Sequence, residues 1–259
     1  MPEALADFSS RVIEADGKKR TVLVTGEHGP AVVAIHEIYG VTPQLIRFAR
    51  WVRDAGFRVY LPVLYGPADG TAETKMSAGR ILGLCVSREF NLFAEGKTSP
   101  IVEWLKGVAR IAHQECGGPG VGVIGMCLTG NFALAMAAEP TVLAPVMAQP
   151  GLPANKPGAM GLSPADIEAV QRRTREEGLK VRGYRFEGDD LCRAARFEAF
   201  ERALGDAFTG VVLPDEAGNP RGRKPPHSVF TGDLIDAAGE PTRKAVDEVI
   251  GFFHARLAA

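Results

Sequence analysis

The residues of this chain with the clearest chemical content lie in the hexapeptide Gly125-Met126-Cys127-Leu128-Thr129-Gly130. An apolar run, VGVIG (121–125), enters it, and a helical pattern, NFALAMAA (131–138), leaves it. A strand, a sharp turn with small residues around a nucleophile and then a helix together present a strained nucleophile at a strand end. The flanking glycines allow close backbone approach. The helix N-terminus behind the turn favours negative charge on the sulfur and on a developing oxyanion. The competing reading is a buried structural cysteine at a Gly-flanked strand end, since free Cys is often buried.

Partners for such a nucleophile follow it in the order acid, then histidine. His227 and His254 are the histidines after Cys127. His254 falls in the last turn of the C-terminal helical pattern, a place for a solvated or capping residue. His227 sits in KPPHSVF, in a loop that follows a strand pattern. Between Cys127 and His227, YRFEG (184–188) runs into Asp189-Asp190, and Asp190 is the candidate acid at a strand's carboxyl end. Alone, Asp190 reads better as a turn former or helix N-cap. A second match, Gly120-Val-Gly-Val-Ile-Gly125, fits the dinucleotide pattern G-x-G-x-x-G and is rejected. That motif needs a strand before it, and here the residues between the glycines are themselves the strand.

The elements that must position these residues alternate between β-branched runs and helical patterns, the signature of a parallel sheet covered by helices in an α/β fold. AVVAIHE (31–37), RVYLPVLY (58–65), VGVIG (121–125), TVLAPVMA (141–148), LKVRGYRFEG (179–188) and GVVLP (210–214) read as strands. Thr42-Pro43, Ser99-Pro100 and Ser163-Pro164 open helices, with Pro at the first helical position. A further helix runs over 194–204, and a C-terminal one starts near Pro241. Residues 8–26 read as an antiparallel pair. No internal repeat or long linker divides the chain, so residues 1–259 are expected to form one domain with an insertion at about 66–98. That insertion and the Gly/Pro-rich stretch 149–162 begin at strand carboxyl ends, where open parallel sheets bind ligands.

Composition narrows the partner. Lys and Arg number 30 against 31 Asp and Glu, a net charge of −1, so neither a nucleic acid nor a polybasic membrane anchor is expected. The four cysteines, at 85, 116, 127 and 192, form no CxxC pair. That argues against zinc and against a disulfide framework and fits a reducing cytosol. The first residues contain no apolar signal region, and no apolar run is long enough to span a bilayer. A cytoplasmic protein without metal or organic cofactor is the expectation.

The ordered set HEIYG, PVLYG, GMCLTG, GDD and HS resembles the dienelactone hydrolase family from about residue 30 onward. The resemblance implies an α/β-hydrolase fold, with a mostly parallel central sheet and helices on both faces. It also implies a triad of Cys127, His227 and Asp190, with Glu37 as an extra carboxylate near the nucleophile. Glu37 otherwise reads as an ordinary charged strand end, although a carboxylate closing a buried apolar strand needs a partner. Backbone N–H groups of Ile38 and Leu128 are implied as the oxyanion hole. The function implied is hydrolysis of a small ester or lactone through a cysteine acyl-enzyme. The alternatives are a binding protein on a degenerate hydrolase fold and a thiol-based redox protein, for which Cys192 is only a distant partner.

Three departures concern the substrate. Thr129 stands where the family often has glycine, and Thr231, four residues after His227, stands where the best-known members carry a substrate-binding arginine. The 66–98 insertion is read as longer than the family pattern and carries SREFNLF (87–93). Arg88 in that segment is the remaining candidate to anchor a substrate carboxylate, against the plain reading of a surface arginine. With a neutral substrate, Tyr39, Tyr65, Phe90 and Phe93 are expected to form an apolar pocket.

Overall fold

β-Branched runs become strands and the proline-opened segments become helices in the computed structural model, which describes residues 3–64, 66–72, 99–151 and 158–258. Most of the 66–98 insertion lies outside the described residues, and with it Arg88, Phe90 and Phe93, as does Tyr65. The strands are β1 (Ser9–Ala15), β2 (Lys18–Thr25), β3 (Ala31–Ile35), β4 (Arg58–Pro62), β5 (Val121–Met126), β6 (Val142–Ala148), β7 (Val181–Phe186) and β8 (Phe208–Leu213). They form one sheet in the order β1-β2-β4-β3-β5-β6-β7-β8. β1 and β2 pair antiparallel, β2 meets β4 antiparallel, and every other neighbouring pair is parallel. The β1–β2 turn uses Asp16 and Gly17, both at positive φ (48° and 70°), as a two-residue hairpin of this twist requires.

The helices are α1 (Pro43–Asp54), α2 (Pro100–Cys116), α3 (Leu128–Met136), α4 (Pro164–Glu176), α5 (Ala194–Leu204) and α6 (Pro241–Leu257). The expected N-caps form. Thr42 accepts the Leu45 N–H, Ser99 that of Ile101 and Ser163 that of Asp166, each followed by Pro at the first helical position. α3 starts directly after Cys127, which places that cysteine at the helix N-terminus itself.

Strand alternation divides the core in two. Val33 and Ile35 of β3 and Val121 and Val123 of β5 pack with Trp104 and Leu105 of α2 and Phe132 of α3. Val32 and Ala34 of β3 and Ile124 and Met126 of β5 pack on the other face, with Phe48 of α1 and Val249 and Phe253 of α6. Each such side chain, fully buried, contributes about 1.5–3 kcal/mol of transfer free energy. The central strands β3 and β5 are thus buried on both faces. Buried Arg173 of α4 locks the far end of α3, donating to the carbonyls of Ala137, Glu139 and Val142 with one guanidinium nitrogen. A cation there complements the helix dipole.

Candidate active site

β5 delivers Cys127 at its carboxyl end with φ 59° and ψ −127°, a backbone conformation that L residues rarely adopt. Such strain costs of order 1–3 kcal/mol and persists only where neighbours hold it. The Cys127 N–H donates to Ala148 O (3.0 Å), and its carbonyl accepts from Gly130 N (3.0 Å) and Gly151 N (3.1 Å). The turn is tight enough that a Cβ on Gly125 would lie 1.9 Å from the Thr129 carbonyl oxygen, so only glycine fits there. Cys127 is half-buried and carries no disulfide. Leu128 is the first residue of α3, so its N–H has no intrahelical acceptor.

His227 is brought to the same place by the loop after β8. A Cβ on Gly151 would lie 3.6 Å from Cys127 Sγ and 3.9 Å from His227 Cε1, so sulfur and imidazole border one space. The Nδ1 of His227 is hydrogen-bonded to Asp189 Oδ2 at 2.7 Å. The acid facing the histidine is therefore Asp189, and the expectation for Asp190 is corrected. Asp190 points out to solvent and pairs with Arg223 at 2.7 Å. Asp189 is buried, and its other oxygen accepts the backbone N–H groups of Leu191 (2.9 Å) and Cys192 (3.1 Å), which leaves Oδ2 aimed at the ring. Adjacent residues in the turn after β7 face opposite ways, and the inward one is the first of the pair.

The far nitrogen of His227, Nε2, is buried on the side of the ring that faces Cys127, whose side chain interacts with it. Burial works against a charged ring, but the negative charge of a Cys127 thiolate and the Asp189 hydrogen bond outweigh it, so the His227 pKa is raised well above 6.5.

Glu37 lies just beyond the end of β3 and is 3% exposed. Its carboxyl pKa is raised, with burial as the main cause. The positive charge of His227, the hydroxyls of Ser228 and Thr231, and the Gln149 amide offset part of that rise. Gln149 Nε2 donates to Glu37 Oε1 at 2.8 Å, and the Gln149 carbonyl oxygen accepts the Val229 N–H at 3.3 Å. Thr231, where an arginine was the family expectation, is buried beside Glu37. Tyr39, half-buried, has its phenol pushed up to about 12 by burial and by the charges of Glu37 and Cys127. It therefore lies near both of these residues.

Three contributors escape sequence reasoning. Asp233 is buried and accepts the N–H groups of His227 and Ser228 at Oδ2 (2.8 Å each) and of Arg223 at Oδ1 (2.8 Å), which shapes the histidine loop. Gln149 joins Glu37 to the same loop, and Asn131 Nδ2 donates to Gly151 O at 2.8 Å. Asp233 was visible only as an acid in HSVFTGD, with nothing in its spacing to tie it to His227. His254 is exposed and rests on the Phe57 ring, away from this site. Among the described residues no three His, Cys, Asp or Glu side chains gather as a metal site, and no helix is long and apolar enough to cross a membrane.

A sheet of this order, with helices on both faces and a strained turn between β5 and the following helix, is that of the α/β-hydrolase fold. A model of the dienelactone hydrolase family matches residues 20–170, more than half of the chain, which belongs to that family. The chain is 32% identical over 115 residues to a carboxymethylenebutenolidase of Pseudomonas sp. (strain P51), an alignment spanning 43% of this chain and 45% of that relative. The chain thus matches less than half the length of this relative. Two solved structures share the fold. A putative dienelactone hydrolase from Klebsiella pneumoniae subsp. pneumoniae MGH 78578 has a TM-score of 0.63 at 16% identity, covering 94% of this chain and 98% of that one. A dienelactone hydrolase from Anabaena variabilis ATCC 29413 has a TM-score of 0.60 at 17% identity, covering 96% and 98%.

Proposed function

We propose that this protein hydrolyses a small ester or lactone through a thioester on Cys127, with His227 as acid and base and Asp189 as its orienting partner. The observation that carries this reading is the His227–Asp189 hydrogen bond of 2.7 Å on one side of the ring, with the Cys127 side chain on the other. Nε2 is thereby placed for proton transfer beside the sulfur.

In the first half-reaction the Cys127 sulfur attacks the carbonyl carbon, and the carbonyl π electrons move to oxygen. The N–H groups of Leu128 and Ile38 stabilise that oxyanion. Collapse expels the alkoxide, which takes the Nε2 proton of His227, and the acyl group stays on sulfur. In the second, water attacks the thioester and gives a proton back to Nε2. Collapse then releases the Cys127 thiolate and the carboxylic acid. Glu37, whose raised pKa suits it to accept a proton, takes the thiol proton when Cys127 starts neutral. Tyr39 forms part of the pocket wall.

A thiolate leaves more readily than an amine, so an amide adduct reverts whereas an activated ester or enol-lactone goes forward. Family membership and the name of the Pseudomonas relative support the same class. A redox role is disfavoured because burial, together with the Asp189 charge, pushes the Cys192 thiol up, against a readily formed resolving thiolate. The test is turnover of a panel of activated esters and lactones by wild type, Cys127→Ala and His227→Ala. Wild-type hydrolysis lost in both variants supports the reading, and no hydrolysis by wild type overturns it.

A further inference from the structure

His36 is buried at the end of β3, beside the nucleophile turn, and takes no part in the proton transfers above. The Leu64 N–H donates to its Nε2 at 2.9 Å. An imidazole nitrogen that accepts a hydrogen bond carries no proton, so the neutral ring holds its proton on Nδ1. Nδ1 lies 2.5 Å from the Glu37 carbonyl oxygen and donates to it. The Gly40 N–H reaches the same oxygen at 3.1 Å. The carbonyl of the Glu37–Ile38 peptide is therefore held by two donors. In a planar trans peptide the C=O and the following N–H point in opposite directions. Holding the carbonyl on the His36 side turns the Ile38 N–H to the other side.

Thr129 ties this segment to the nucleophile. Its hydroxyl accepts the Met126 N–H at 2.8 Å and lies 2.9 Å from Met126 O, 3.1 Å from His36 O and 3.2 Å from Ile35 O, its single proton serving one carbonyl at a time. The two strand ends that lead to Leu128 and Ile38 thus meet at one hydroxyl, through Met126 on one and Ile35 and His36 on the other. A burial-depressed pKa of about 4 keeps the His36 ring neutral, with its Nε2 lone pair free for Leu64 across the neutral pH range.

We infer that His36 is a positioning residue for the oxyanion hole: its Nδ1–H fixes the Glu37–Ile38 peptide so that the Ile38 N–H meets the oxyanion formed at Cys127. This rests on the proposed acyl-transfer function and adds the group that orients one of its two donors.

Two variants separate the halves of the ring. Asn places its amide nitrogen where Nδ1 stands, and Gln places its carbonyl oxygen where Nε2 stands. His36→Asn keeps the donor to Glu37 O, whereas His36→Gln keeps the acceptor for Leu64 and loses that donor. Deleting an oxyanion donor typically lowers kcat by about 10²–10³, so a donor that remains but can turn is expected to lower it about 10- to 100-fold. Because the oxyanion exists only on the way to product, the loss falls on kcat with little change in KM. For His36→Gln the inhibition constant of an aryl trifluoromethyl ketone, which forms a charged tetrahedral oxygen on the thiol, rises by the same factor. The iodoacetamide rate at Cys127, which needs no oxyanion, stays at the wild-type value. His36→Asn keeps near wild-type kcat even with a lower melting temperature.

Wild-type kcat in His36→Gln, or equal kcat losses in both variants that track their melting temperatures, would overturn the inference. A measurement without substitution stands beside these. Imidazole ¹⁵N shifts of the wild-type protein at neutral pH are expected to show His36 protonated on Nδ1, and an Nε2-protonated ring would contradict the inference even if neither variant folds. If wild type forms no acyl-enzyme, the functional reading fails while the ¹⁵N result still reports on the His36 geometry.

Discussion

His227 Nδ1 and Asp189 Oδ2 are 2.7 Å apart, while the neighbouring Asp190 faces solvent and holds Arg223. That one-residue distinction sets the first prediction. Replacing a triad acid by its amide leaves the histidine in the wrong tautomer, so Asp189→Asn is expected to lower kcat by about 10²–10⁴. Asp190→Asn removes an exposed ion pair and is expected to leave kcat within about 3-fold. Steady-state kinetics on one activated ester compares the two.

A second prediction concerns pH. The folded His227 pKa is raised above its unfolded value of about 6.5. Its contribution to stability is therefore complete below that value and is lost as pH rises through the folded pKa. His36 works in the opposite sense, because its folded pKa of about 4 lies below the unfolded value. Its contribution is present above about pH 6.5 and is lost as pH falls toward 4. Urea midpoints across this range are expected to decline at both ends. In Cys127→Ala the alkaline decline shrinks, since the thiolate charge is the largest influence raising His227.

Gly125 supplies a third. Alanine there meets the Thr129 carbonyl oxygen at 1.9 Å, a backbone atom with no room to yield. Overpacking of this kind costs about 3 kcal/mol or more, read as a lowered urea midpoint. Gly251, with nothing within 4 Å of its added Cβ, is the control, and Gly251→Ala is expected to leave the midpoint unchanged or raise it.

Asp233 supplies a fourth. Asp233→Ala leaves three backbone N–H groups without their acceptor, among them that of His227 itself. Hydrogen bonds to a charged group are worth about 1.5–3 kcal/mol each, so stability is expected to fall by roughly 3 kcal/mol or more. Activity is expected to fall further than stability explains, because the loop that aims His227 loses its fixed shape. Kinetics under conditions where the variant is fully folded, checked by circular dichroism, separates the two.

Much of this fold was legible because its signals are local. The Pro-opened helices with Thr or Ser caps, and the apolar runs of β3, β5 and β6, carry their structure in a few adjacent residues. The strand–turn–helix geometry at Cys127 was legible for the same reason, since strand, small residues and helix are contiguous there. The acid was displaced by one position because two identical side chains follow β7. Which one turns inward depends on the Leu191 and Cys192 N–H groups that capture Asp189, and no side-chain pattern encodes this. Asp233, Gln149 and the His36 network escaped for a related reason. Their partners are main-chain groups brought near by the sheet, as when His36 reaches Leu64, 28 residues away. Thr129 looked like a modest departure from glycine, yet its hydroxyl occupies the junction of two strand ends.

The central claim is that Cys127 carries the acyl group, and trapping tests it most directly. Wild-type protein mixed with an activated aryl ester, quenched in acid within the first turnovers and digested, is expected to yield the acyl mass on the peptide containing Cys127. Cys127→Ala is expected to show neither adduct nor turnover. An acyl group on another residue, or undiminished hydrolysis by Cys127→Ala, would contradict the account.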